Sequence, residues 1–288
     1  MLIRMFASVV LALCLLPRGW AAPSEPQEIV LPGKGIKLYL FTPEPGRGSG
    51  SAVVTVHGGG WKWGKAAWTF DDARRFASAG MLAVALEYRL SDEVVTPVDA
   101  LEDVCDALGW VRENARKYQL DPKRVAAFGV SAGGHLSAMA ASRGCGNNQG
   151  AQGNGGPDLL LLWSPALDME RDGWFLRLLP KGAAAADYSP LASLHSDMPP
   201  VTIVQGDRDT LTPAVGAKEY CRRLTEMRGS CEVNLYPGVG HLLTRNLAIQ
   251  ESNFDPDPVL VAAGNQALME FLARNDFVAT TKAVGIKE

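Results

Sequence analysis

The chain has 288 residues, 47% of them hydrophobic and 20% charged, with 28 Lys and Arg against 31 Asp and Glu. That composition suits one large α/β domain and excludes extended disorder and coiled coils. A formal charge of -3 leaves no basic stripe, so nucleic acid and anionic membrane surfaces are not expected partners.

At the start, residues 1–22 carry Arg4, an apolar run from Met5 to Leu16, and small residues at Gly19, Ala21 and Ala22. This is the pattern of a cleaved secretory signal, and it predicts a mature chain of 23–288 in the periplasm or the medium. The run is shorter than the ~20 residues of a spanning helix, so no stable membrane insertion is expected after cleavage. A lipoprotein reading through Cys14 is weakened by Leu13, which stands where a small residue belongs. Removing the signal leaves Cys105, Cys145, Cys221 and Cys231, enough for two disulfides in an oxidising compartment. Cys221 and Cys231 are the better pair, since a helix ending near Arg228 and a strand starting near Cys231 lie close together. Four buried thiols are the alternative, and no C-x-x-C spacing points to a metal.

Apolar runs predict strands at 37–41, 52–56, 81–88, 124–128, 158–163, 201–205 and 231–236. Most are continuously apolar, as strands covered on both faces should be. Helical spacing fills the gaps, in TFDDARRFASAG, PVDALEDVCDALGWVRENARKYQ, AGGHLSAMAASRG, PAVGAKEYCRRLTEM and a last helix from about Pro258 to Arg274. The alternation predicts an α/β fold with a mainly parallel sheet and helices on both faces. The Gly/Asn-rich stretch 144–157 reads as a surface loop. The irregular segment rich in Trp, Leu and Ala at about 168–188 reads as a short lid, and the residues after Asp276 as a loose tail.

Two motifs carry chemistry. In VVTVHGGGWKWGK, Gly59, Gly64 and Lys65 fit most of a phosphate-binding loop, while His57 and the following glycines fit the HGGG turn of esterases. Ala66 stands where a phosphate loop needs Ser or Thr for magnesium, which favours the second reading. In FGVSAGGH, Gly129, Ser131 and Gly133 form G-x-S-x-G between a buried strand and a helix, where a strained turn thrusts a serine hydroxyl off the sheet. Such a serine needs a base. Of four histidines, His57 lies in the glycine loop, His135 follows Ser131 on its own helix and His195 has no local signature. His241, in YPGVGHLL past a strand, sits at the sheet's carboxyl edge with Ser131. VTIVQGDRDTLTP places Asp207 and Asp209 at the same edge; Asp207, next to the strand-end glycine, reads as a turn residue and Asp209 as the acid that orients His241. Trp61 fits a pocket lining or the core equally well.

The ordered set HGGGW, EYRLS, GVSAGGH, SPLASLHSDMPP, GDRDTLTP and GVGHLL resembles the α/β-hydrolase superfamily. Within it, the chain is similar to the bacterial esterases related to hormone-sensitive lipase and to feruloyl and acetylxylan esterases, and to arylformamidases. The resemblance implies a Ser131, Asp209, His241 triad, an oxyanion hole from the amides of Gly59, Gly60 and Ala132 with Gly58 less certain, and a supporting role for His57. It implies hydrolysis of small carboxylic esters, short-acyl or aryl, with no cofactor. An arylformamidase-type amide hydrolase and a catalytically silent binding protein of the same fold are the alternatives. Gln205 departs from the histidine many relatives carry before the glycine, a change expected to bear on strand-end packing more than on the triad. The lid is short for a lipase cap.

Overall fold

The computed structural model describes residues 25–146 and 155–279. The signal-like segment 1–22 lies outside the described residues, as does most of the Gly/Asn-rich loop. The strands are β1 (Gln27–Val30), β2 (Lys37–Phe41), β3 (Ala52–Val56), β4 (Leu82–Glu87), β5 (Val125–Val130), β6 (Leu159–Trp163), β7 (Val201–Gly206) and β8 (Cys231–Tyr236). They form one sheet in the order β1-β2-β4-β3-β5-β6-β7-β8. β2 pairs antiparallel with both β1 and β4, and the remaining neighbours run parallel.

The helices are α1 (Phe70–Ser78), α2 (Pro97–Glu113), α3 (Ala115–Tyr118), α4 (Ala132–Arg143), α5 (Gly173–Leu178), α6 (Ala214–Glu226) and α7 (Pro258–Arg274). Their starts are written in the sequence. Thr96 and Asp99 make a reciprocal capping box ahead of Pro97, and Asp257 caps α7 ahead of Pro258. Among the described residues no helix is long and apolar enough to cross a membrane.

Alternation along the strands builds a core on each face. Val54 and Val56 turn toward α2 and α4 with Leu108, Leu136 and Met139, whereas Val53 turns toward α1 and α7 with Phe76, Phe128 and Phe271. With both faces covered, β3 to β7 are almost wholly buried, which is why they read as mainly apolar runs. β1 differs: it is a largely exposed edge strand, and its sequence QEIV carries no such run.

Two expectations need correction or extension, and one contact is added to them. The chain after Asp276 is not loose at once, since Phe277 and Val278 are 5% and 8% exposed and Ser51 Oγ donates to the Phe277 carbonyl. Cys221 pairs with Cys231, and Cys105 also pairs with Cys145, linking the middle of α2 to the chain just past α4. Finally, Arg89 of the EYRLS stretch donates to the fully buried Asp103 carboxylate at 2.7 Å and fastens the end of β4 to α2.

The registers matter most for function. Val56 lies beside Gly129 and Val130 beside Trp163, so the loops leaving β3, β5 and β6 emerge side by side. The loops leaving β7 and β8 complete the same edge.

Candidate active site

Ser131 sits between β5 and α4 at φ 53 and ψ -115, a conformation that side-chain-bearing residues rarely adopt. The surrounding glycines make room for this turn. A Cβ on Gly129 would overlap the Gly133 carbonyl, and one on Gly133 would overlap the Val56 carbonyl. The turn is pinned by Ser131 N–H donating to Trp163 O at 2.9 Å and Ala166 N–H donating to Ser131 O at 3.3 Å.

His241 meets this serine at the same edge, from the loop after β8. Its Nε2 lies 3.0 Å from Ser131 Oγ, and its Nδ1 lies 2.8 Å from Asp209 Oδ2. Nδ1–H donating to the carboxylate leaves the Nε2 lone pair facing the serine hydroxyl. Asp209 is itself saturated with donors. Oδ1 accepts from the amides of Leu211 and Thr212 at 2.9 and 2.8 Å, and Oδ2 also accepts from Gln205 Nε2 at 2.9 Å and Thr212 Oγ1 at 2.8 Å. Burial pushes its pKa up, but the His241 hydrogen bond and charge and the Thr212 bonds outweigh it and hold the carboxyl below the usual carboxylate range. Asp207 takes the turn role expected of it, accepting from Gly238 N–H at 2.7 Å. Gln205 corrects the expectation of simple strand-end packing: its amide also donates to Thr212 O at 3.0 Å and so reaches the acid directly.

Gly59 and Gly60 follow β3 with φ of 113 and 57. Among the described residues, their amides and that of Ala132 donate to no protein acceptor. Ala132 opens α4, so its N–H has no partner within the helix. Gly58 packs beside Ser131, where its Cβ would stand 3.2 Å from the serine Cβ. His57 supports the loop from beneath: Nδ1–H donates to Gly58 O at 2.7 Å, and Tyr88 stacks on its ring at 4.1 Å. Burial pushes the His57 pKa down to about 4, so the imidazole is neutral at pH 7. A Cβ at Gly64 would strike this ring, and Lys65 is exposed, which gives both residues places unrelated to a phosphate.

Trp61 is a core residue and not a pocket wall. It is 3% exposed, packs against Phe175 at 4.9 Å and donates Nε1–H to His135 Nδ1 at 3.1 Å. His135 then donates Nε2–H to Tyr188 O at 2.8 Å, so it ties α4 to the segment 168–188. Trp63 and Trp68 are both exposed, and Trp63 stacks at 5.2 Å on Trp174 from α5. Trp174 Nε1–H donates to Gly60 O at 3.0 Å, which fixes α5 to the glycine loop. His195 is occupied elsewhere, on the Ser142 carbonyl at 3.0 Å.

Between this segment and the loop after β7 lies a cleft of about 310 Å³, bordered by Ala166, Leu167, Met169, Leu211, Thr212 and Val215. Its walls include Thr212, which touches His241 Nδ1 at 3.1 Å. Three supporting residues escape a reading of the sequence: Thr212, Gln250 and Ser164, whose Oγ accepts from Leu242 N–H at 3.1 Å. A Thr three residues beyond the acid was a usable signal for the first; the other two have none. Among the described residues no group of three or more His, Cys, Asp or Glu is arranged to hold a metal ion.

The BD-FAE family model matches residues 38–154. The chain is 31% identical over 230 residues to carboxylesterase NlhH of Mycobacterium tuberculosis (strain ATCC 25618 / H37Rv). That match covers 71% of this chain and 66% of NlhH, just under two thirds of the relative's length. Among solved structures it is similar to native Est2, a thermophilic esterase from the planctomycete Thermogutta terrifontis. The TM-score is 0.76 at 26% identity, covering 90% of this chain and 95% of the other. The propionate-bound form of Est2 gives a TM-score of 0.75 at 26% identity, covering 88% and 96%. The strand order, the serine turn between β5 and α4 and these likenesses agree: the chain has the α/β-hydrolase fold and is similar to BD-FAE-type esterases over residues 38–154.

Proposed function

We propose that this protein is an exported serine hydrolase of carboxylic esters, with Ser131 as nucleophile, His241 as base and then acid, and Asp209 as the group that orients His241. The observation that carries the reading is the continuous hydrogen-bond line from Ser131 Oγ through His241 to Asp209 Oδ2, with steps of 3.0 and 2.8 Å. A serine hydroxyl is a weak nucleophile unless its proton leaves as the bond forms. As Oγ bonds to the acyl carbon, Nε2 takes that proton, and the buried Asp209 carboxylate faces the imidazolium that results. The carbonyl oxygen becomes an oxyanion, for which the uncommitted amides of Gly59, Gly60 and Ala132 are the nearest supply of donors by sequence and fold. One such donor is typically worth ~10²–10³ in turnover. The ester C–O bond then breaks while Nε2 returns the proton to the leaving alcohol. Water attacks the acyl-enzyme by the same route and frees the acid and Ser131.

Short-acyl or aryl esters are the substrates this site favours. The similar esterase from Thermogutta terrifontis is known with propionate bound, and the segment 168–188 is short for a lipase cap. Export rests on the signal-like residues 1–22 and is in keeping with two disulfides in the folded domain. The test is hydrolysis of p-nitrophenyl acetate, butyrate and octanoate, beside an N-formyl arylamide, by wild type and Ser131→Ala. Wild type should turn over the two shorter esters fastest, and Ser131→Ala should lose at least ~10³-fold in kcat with an unchanged circular dichroism spectrum. Retained turnover in a folded Ser131→Ala protein would remove the serine from the mechanism, and a preference for the formyl amide would move the activity to amide hydrolysis.

A further inference from the structure

His241 and Asp209 sit on different loops, after β8 and after β7, and the distance between them decides whether the imidazole points at Ser131. Gln250 lies nine residues beyond His241 and is 2% exposed. Its side-chain amide touches both loops. Oε1 accepts from His241 N–H at 2.8 Å and from Thr210 N–H at 3.2 Å. Nε2 donates to Arg208 O at 2.9 Å and more loosely to Leu247 O at 3.5 Å. Both lone pairs and both hydrogens of one planar group are thus engaged, which is all a glutamine amide can offer. The residues it holds are the base itself and the two neighbours of the acid, on either side of Asp209.

The chain around Gln250 is built to keep it there. The loop from Thr244 to Asp257 is closed at its neck by the Thr244 to Pro256 bridge and by Arg245 donating to both Asp255 oxygens at 3.0 and 2.7 Å. Thr244 Oγ1 accepts from the amides of Asn246 and Asp255 at 3.1 and 3.0 Å. Gly240, next to His241, lacks the side chain that would occupy the amide's place: a Cβ there would overlap Gln250 Cδ and Oε1. Its φ of -97 is open to other residues, so contact with Gln250 is what requires glycine.

We infer that Gln250 is a positioning residue for ester hydrolysis, its amide setting the separation and angle between His241 and Asp209 by bonding to both loops at once. The inference rests on the proposed triad. Freed from this brace, the imidazole keeps its link to Asp209 but samples orientations off the Ser131 hydroxyl. Misplacement of about 1 Å costs on the order of 10²-fold in rate.

The test compares wild type, Gln250→Met, Gly240→Ala and the double variant with p-nitrophenyl butyrate. Rates are divided by the number of sites that react with an aryl dialkyl phosphate, counted as nitrophenolate released, so that misfolded molecules drop out. Gln250→Met should lose about 10–100-fold in kcat per reacting site with KM within about twofold of wild type. Gly240→Ala, which displaces the amide without removing it, should lose a similar factor, and the double variant should be no worse than Gln250→Met alone. A folded Gln250→Met protein with kcat per site within about threefold of wild type overturns the inference, as does a loss carried by KM or full additivity in the double variant. Should Gln250→Met fail to fold, Gly240→Ala decides by the same criteria. Ser131→Ala run alongside separates the two levels: activity there removes the triad, whereas a dead Ser131→Ala beside a fully active Gln250→Met removes only the brace.

Discussion

Replacing Asp209 with asparagine changes one oxygen for an NH₂ and reverses the direction of hydrogen bonding around it. The two backbone donors of Leu211 and Thr212 point at Oδ1 and cannot turn round, so the new carbonyl oxygen is held at that position. The NH₂ then occupies the Oδ2 site, facing His241 Nδ1, Gln205 Nε2 and Thr212 Oγ1. The threonine hydroxyl can accept instead of donating, with its own hydrogen going to Ser164 O at 3.0 Å. Gln205 cannot reverse freely, because its Nε2 also serves Thr212 O. His241 must therefore accept at Nδ1, which moves its hydrogen to Nε2 and removes the lone pair that would take the serine proton. The expected fall in kcat is about 10³–10⁴-fold, or ~4–5.5 kcal/mol of barrier, with KM little changed. The lost Gln205 bond should lower stability by only about 1–3 kcal/mol, so the variant remains folded. Initial rates on p-nitrophenyl butyrate with a melting curve on the same sample decide it. Asp207→Asn, which alters a single turn bond to Gly238, is the control and should stay within a few-fold of wild type. A folded Asp209→Asn protein losing less than about tenfold would show that this carboxylate does not set the tautomer of His241.

Two further outcomes concern stability. Burial pushes His57 and His135 down to about 4 each, against an ordinary value of 6.5, so both fold neutral while the unfolded chain protonates first. Their stabilising contribution is complete above pH 6.5 and declines as pH falls toward 4; at pH 5 each has lost about 2 kcal/mol (1.5 units at ~1.36). Urea unfolding at pH 7.5 and pH 5 should show a combined loss near 4 kcal/mol, about half of which disappears in His135→Gln; an unchanged pH slope in that variant would contradict the burial argument. The Cys105–Cys145 and Cys221–Cys231 bonds join residues 40 and 10 apart, and chain entropy assigns them about 4 and 3 kcal/mol. Reductant should lower the melting temperature, and Cys105→Ser with Cys145→Ser should do so more than the other pair; the reverse order would point to strain or unfolded-state structure instead.

The parts of the fold buried on both faces were readable from the sequence, because β3 to β7 are almost wholly buried and so appear as mainly apolar blocks between helical stretches. β1 was not, since an exposed edge strand pairs through its backbone and leaves no apolar pattern. α5 was missed for a related reason: six residues are too few to show a helical period, and its place is set by Asp172 capping it and by Trp174 on Gly60. In the site, Ser131, Asp209 and His241 were found through glycine spacing and chain order, which are consequences of local backbone geometry. Trp61 was undecidable between pocket and core because adjacent indoles in a glycine loop point to opposite sides, and only packing against Phe175 and His135 decides. Gln250 left no trace at all, as its role depends on how an irregular loop folds back on two others.

The closest approach in the site is made between backbones: α4 starts so near the end of β3 that Gly133 has no space for a methyl group beside the Val56 carbonyl. The gap between the serine turn and the glycine loop is therefore set by the spacing of neighbouring strands, a dimension that side-chain substitution does not reach. The cleft beside it is walled by side chains from the loops after β6 and β7, which can change without moving a strand. Substitutions in those loops can therefore reshape the cleft while the distance between the serine turn and the glycine loop stays fixed, so the two parts of this edge vary independently.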